Sequence, residues 1–335
     1  MSFKKWIPYG ILILSPLLIL ITVGLSVCYG AKSLDWKSVQ TALVHFEQTN
    51  INHQIIIHSR LPRVIGALLV GAALAVSGTL MQGITGNYLA APGLMGVSDG
   101  STLAITLYMI LCPNGSSWEQ MMFSFLGSAF GASLVLGLGS MLPNGLAPFR
   151  LAILGSITGA FLNGVSAVLA IHYQIAQDIS FWYNARLHQL GPEHLKTAAV
   201  FVMAGLGTAL AIAKKVTLLS LGEEIAISLG QKTIIIKASA AIAVLVLTGT
   251  SIALAGKIGF VGLIIPHITR FLVGADYKWR IPCAAVIGGV FLGLSDVLSR
   301  FLNYPFETPV GVITTLTGVP FFLYLAGKRG KKRFG

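Results

Sequence analysis

The chain has 335 residues, 55% of them hydrophobic and only 10% charged, with a mean hydropathy of +0.80. Soluble domains carry about 25% charged residues, so this composition excludes an ordinary soluble protein and points to an integral membrane protein. The net charge of +12 invites a nucleic-acid reading. The basic residues, however, gather in loops and at the C-terminus, as at the cytoplasmic face of an anionic membrane, and no nucleic-acid partner is expected.

The apolar runs are long and unbroken, which suits helices rather than barrel strands. They predict an all-α polytopic membrane protein of about ten spans in a single domain, 1–335. Lys4 and Lys5 precede a run from Ile7 to Val27. A signal peptide ending at Cys28 has a similar outline. Val27 is a poor residue at such a cleavage site and more spans follow, so an uncleaved first span is expected. Residues 29–59 read as an external loop. The second span covers Arg60–Gln82, and a loop, 83–92, leads to a third span ending near Leu111. The fourth and fifth cover about 120–142 and 150–171, the sixth 194–213 after a polar segment at 172–193. Beyond Lys214–Lys232 come spans at 233–255, 256–273 (short, broken by Pro266), 281–301 and 309–326. The tail, 328–335, carries five basic residues. With both termini inside, fifteen Lys and Arg residues lie on the inner side against eight outside. That excess supports cytoplasmic termini.

The stretch Lys214–Lys232 reads as a short amphipathic helix at the membrane surface. Ser220 is placed to cap it, and Glu223 and Glu224 fall in the first turn, where the helix dipole favours anions. Leu221, Ile225 and Leu229 recur every four residues on one face. Gly222 precedes the glutamates, and Gly230 suits the stop. Such a helix is either an ordinary interfacial segment or a surface shown to a partner; periodicity leaves both open.

No catalytic constellation is expected. Gly96–Gly100 matches the nucleophile-elbow pattern, but it opens a membrane helix rather than a strand-to-helix turn. Gly256-Lys257 resembles the end of a phosphate loop, with Ile258 where Ser or Thr is required. Any energy from ATP must therefore come from a separate subunit. Cys28, Cys112 and Cys283 stand singly and the histidines show no ligand spacing, so no metal or other cofactor is expected on this chain. The spans are expected to lack charge clusters. Gly127/Gly131, Gly155/Gly159 and Gly289/Gly293 are pairs that let helix backbones approach closely. Arg60, Arg63 and Arg300 sit at outer helix ends, where they either reach lipid headgroups or dock an acidic partner.

Several blocks resemble the FecCD family, the permease subunits of ABC importers for ferric siderophores, haem and vitamin B12. They are Arg60-Leu61-Pro62-Arg63, Gly71–Gly78, Met81-Gln82-Gly83, Asn87, Leu89-Ala90 and Pro92–Ser98. Leu218–Gly230, Gly259–His267, Pro309–Val312 and Gly318–Phe322 agree, so the resemblance covers about residues 10–327. It implies the type II ABC importer permease fold, with ten spans and a pathway between two permease subunits in a bacterial cell membrane. It also implies an ATP-binding cassette ATPase, holding ATP and Mg, that receives the helix at 218–230, and an extracytoplasmic substrate-binding protein that meets Arg60, Arg63 and Arg300. Asn87 and Leu89 match residues of the cytoplasmic gate. Tyr88 departs from the family's proline. Ala185 and Arg186 depart from its Trp-x-x-Gly-Ser-Leu segment, leaving Trp182 and Arg186 as candidates for the pathway mouth. A ferric siderophore is the expected cargo, with haem or vitamin B12 as alternatives. An ATPase-independent secondary transporter is the alternative of a different class.

Overall fold

The computed structural model describes residues 6–30, 34–88, 90–142, 148–183, 187, 190–303 and 306–331. Helix α1, Ile7–Cys28, is followed by two short helices, α2 (Trp36–Val44) and α3 (Ile51–Ile55). A π-helical turn, Ile56–Arg60, runs directly into α4, Leu61–Thr85. A 3-10 turn, Pro92–Met95, precedes α5, Val97–Leu111. Then come α6 (Ser117–Met141), α7 (Pro148–His172), α8 (Ala176–Tyr183), α9 (Pro192–Leu219) and α10 (Glu223–Ser228). The chain closes with α11 (Thr233–Ala255), α12 (Val261–Val273), α13 (Tyr277–Ser299) and α14 (Val310–Lys331).

Among the described residues seven helical runs are long and apolar enough to cross a membrane, and α5, α12 and Val310–Tyr324 are shorter apolar helices. Together these ten correspond to the ten expected spans. Three expectations are corrected. Residues 29–59 and 172–193 are not plain loops, because they carry α2, α3 and α8. The third span, α5, has 15 residues, fewer than the ~20 a membrane crossing needs. The eighth is short as expected, the 13-residue α12, but Pro266 lies inside it without breaking it.

Local sequence explains the helix ends. The side chain of Ser116 caps α6 and Glu119 returns the bond, a capping box. The Asp276 side chain accepts from the Lys278 amide at the start of α13. Pro192 opens α9, where its missing N–H costs nothing.

Helix α4 forms the centre. It packs against α13, α11, α12, α9 and α1, and most of its residues are buried, while α1 is largely exposed. Membrane helices lack a strong hydrophobic drive to associate, so close backbone approach and hydrogen bonds hold them together. At Gly71 of α4 a Cβ would strike the Gly288 carbonyl of α13. Helices α5 and α6 meet the same way: Gly127 and Gly131 face the Gly100 and Gly96 backbone, and Ser124 Oγ donates to Gly249 O of α11 at 2.7 Å. One end of the bundle carries Arg63 of α4 with Asp296 of α13. The other carries the end of α4, where Gly83 lies against Val216 and Tyr277, and leads into α10.

Candidate functional site

Helix α10 is the element most plainly built to be met by something else. Leu221, Ile225, Ile227 and Leu229 are about half exposed or more, whereas Ala226 is fully buried against α9 and α11. The turn is fixed at both ends by glycine. Gly222 has φ +133 and Gly230 φ +76, values that a side chain rarely tolerates. The Gln231 amide donates to Ala226 O and the Gly230 amide to Ile227 O, a Schellman stop. One expectation is corrected: Ser220 does not cap α10. Helix α9 runs on through Lys214 and Lys215 to Leu219, and Ser220 ends it, its Oγ donating to Thr217 O. Glu223 is tied to Lys237 of α11 at 2.6 Å. The hydrogen bond from Lys237 holds the Glu223 carboxyl below its ordinary value. Glu224 is exposed in the same first turn.

At the same end, α4 stops at Gly86, with φ +61. Asn87 follows, half-buried, its amide donating to Thr85 Oγ1 and its carbonyl accepting from the Ala90 amide. Tyr88, the departure from the family proline, lies under the Arg270 guanidinium, 3.6 Å from the ring centroid. This cation–π contact ties the segment after α4 to the last turn of α12. Leu89 lies outside the described residues, as does Arg186. Trp182 belongs to α8, and its side chain is likewise not described.

The placement of the three arginines is a correction. Arg60, Arg63 and Arg300 were expected to face outward, yet they are only 6%, 8% and 5% exposed. Arg63 Nε donates to both carboxylate oxygens of Asp296, at 2.9 and 3.0 Å, and its Nη1 to Glu307 at 2.8 Å. Arg300 shares Asp296 and donates to Ser26 O and Tyr29 O at 2.8 and 3.0 Å. Arg60 donates to the Val27 and Cys28 carbonyls at the end of α1. The cluster thus joins α1, α4 and α13. Asp296 is 1% exposed, and Glu307, with 38% of its side chain exposed, is the acidic member open to a partner. Both acids were missed. The available signal was Asp296 four residues before Arg300 on one apolar helix, a spacing that puts them side by side.

A second charged pair overturns the expectation that the spans lack charge clusters. Lys257, between α11 and α12, bonds Asp99 at the start of α5.

The comparisons agree with this architecture. Residues 17–328 match the model of the FecCD transport family. The iron-uptake system permease protein FeuB of Bacillus subtilis is 56% identical over 335 residues, covering 100% of each chain. The iron(3+)-hydroxamate import system permease protein FhuB of the same organism is 45% identical over 95% of this chain and 84% of its own. A solved ABC transporter assigned to the metal-chelate type, in an inward-facing conformation, superposes with a TM-score of 0.80 at 29% identity, over 96% of this chain and 99% of its own. A multi-pass helical chain that matches these permeases from end to end belongs to the FecCD transport family.

Proposed function

We propose that this chain is the permease subunit of an ATP-driven importer that carries a ferric siderophore across a bacterial cytoplasmic membrane. The observation that carries this is full-length similarity to an iron-uptake permease, joined to an α10 turn whose apolar side chains stand exposed. Helix α10 is then the coupling element, received by an ATP-binding cassette ATPase through Leu221, Gly222, Glu223, Glu224, Ile225, Leu229 and Gly230. ATP and Mg reside on that subunit, and this chain binds no cofactor. Both termini are cytoplasmic, which puts α10 inside and the arginine cluster outside. A second permease subunit, identical or related, completes the pathway. Asn87 and Leu89 serve as its cytoplasmic gate, and Trp182 and Arg186 stand near its mouth. ATP binding draws the two coupling elements together and hydrolysis resets them, shifting the bundle between two populations.

Burial restricts how the arginines act in docking. Acidic groups of a substrate-binding protein reach Arg63 only by taking over from Glu307. Arg60 and Arg300 act through the rim they hold.

Growth and radiolabelled iron uptake of a strain lacking this chain, on a panel of ferric chelates with haem and vitamin B12 as controls, tests the function. Loss confined to ferric siderophores is expected. Loss confined to haem or vitamin B12, or uptake that survives without any ATPase, overturns it.

A further inference from the structure

Asp99, and with it the Lys257 ammonium that bonds it, lies deep in the bundle. Gly100 packs on Gly127, roughly 15 Å along α6 from Ser117. Gly78 packs on Gly262 at the start of α12, roughly 25 Å along α4 from Leu61. Both short helices therefore begin at membrane depth, and residues 256–260, which lead into α12, are not helical. Lys257 and Gly259 in that segment are exposed. Non-helical backbone at such depth is tolerated only against protein or a water-filled cavity. An ammonium group makes the same demand. The exposed face of Lys257, beside α5, α7 and α14, where it bonds Asp99 and its carbonyl lies near Gly311, is therefore turned to water or protein rather than to lipid.

The pair has a built orientation. Asp99 Oδ1 accepts from Lys257 Nζ at 2.5 Å and from Asn163 Nδ2 of α7 at 3.0 Å. Gly159 of α7 makes room, since a Cβ there would strike Asp99 Oδ2. The Asp99 side chain is 6% exposed and that of Lys257 43%. The negative end is buried in protein and the positive end is exposed. An ammonium carries three donors, and its exposed side leaves donors for a ligand.

We propose that Lys257, positioned by Asp99 and Asn163, contacts the cargo and favours a net-anionic ferric chelate, of the catecholate or carboxylate kind, over a neutral hydroxamate one. This rests on the permease function proposed above. The test uses the permease–ATPase complex in vesicles with its binding protein and a ferric tris-catecholate. Lys257→Cys is combined with Asp99→Asn, with Cys28, Cys112 and Cys283 replaced by serine. Uptake is expected to fall about fivefold, the upper range for one partly exposed ionic contact, while ATP hydrolysis persists. A water-soluble ethylammonium thiosulfonate reagent is expected to restore uptake and its uncharged hydroxyethyl analogue not to. With Asp99 gone, restoration cannot come from re-forming the internal pair. Unchanged uptake, equal effects of the two reagents, or no labelling by the charged one overturns the proposal. If the combined variant does not assemble, Lys257→Arg and Lys257→Gln decide it. Loss by Gln but not by Arg, confined to the ferric tris-catecholate, supports it. Equal behaviour of the two variants, or equal loss of a neutral ferric hydroxamate, overturns it. Wild-type vesicles that take up no ferric chelate overturn the permease function instead.

Discussion

Asp296 holds two arginines at once, and that makes it a costly charge to remove. It is buried, accepts a forked pair of bonds from Arg63, and closes on Arg300 one turn away. Taking away one member of such a set leaves the others charged and dry, at about 3–5 kcal/mol. Asp296→Ala is expected to lower the thermal midpoint of the purified protein sharply. Glu307→Gln, at the partly exposed edge, is expected to cost about 1 kcal/mol or less. Equal midpoints for the two variants would remove the internal-lock description. Arg63→Lys should fall between them, since an ammonium cannot reproduce the fork. The Asp296–Arg300 half was legible as a four-residue helical spacing, and the Arg63 half was not. Asp296 is a single acid in an apolar run, and its Arg63 partner is 233 positions away, so charge pattern gave Arg63 no internal partner and pointed it outward.

At the scale of elements, α10 shows what periodicity reads and what it misses. The four-residue spacing of Leu221, Ile225 and Leu229 is met by three exposed side chains, and Gly230 stops the helix as expected. The start was misplaced because α9 runs on to Leu219 and Ser220 ends it, so that Gly222 rather than Ser220 opens α10. Glu223→Lys with Glu224→Lys puts cations at a helix N-terminus, at ~0.3–1 kcal/mol each, and sets Lys237 against a like charge. The double variant is expected to insert normally and to lose coupling of ATP hydrolysis to uptake; normal coupled uptake would remove α10 from that role. The Glu223 value is depressed, so its tie to Lys237 is complete at neutral pH and lost only as pH falls through the lowered value. Gly230→Ala forces a side chain into φ +76, a strain of about 1 kcal/mol. Faster hydrogen exchange confined to 223–231 is expected, and unchanged exchange there would count against the strained stop.

For the whole molecule, ten apolar runs were readable because membrane length requirements leave few alternatives. Their packing order was not, because glycine contacts such as Gly71 with Gly288 carry no long-range mark in the sequence. Bulk at that contact must push α4 from α13, so Gly71→Leu is expected to lower folded yield while Gly10→Leu, where a Cβ meets nothing, does not. Equal yields would place the close approach elsewhere. In the proposed dimer, cysteines at positions 87 and 89, in a background lacking Cys28, Cys112 and Cys283, should cross-link between subunits in some nucleotide states and not in others. Absence of cross-links in every state of an intact complex would count against Asn87 and Leu89 as gate residues.

The arginine cluster also has a consequence during synthesis. Arg60 and Arg63 leave the ribosome long before Asp296, and at about 5–20 residues per second the 233-residue gap lasts on the order of ten to fifty seconds. Through that interval α1, whose final carbonyls later accept from Arg60 and Arg300, has no completed seat. Nascent chains stalled before Asp296 should therefore be readily cleaved by a membrane protease that samples unassembled helices, and chains stalled well after Glu307 should resist it. The last third of the protein thus acts as the inspection point for the first.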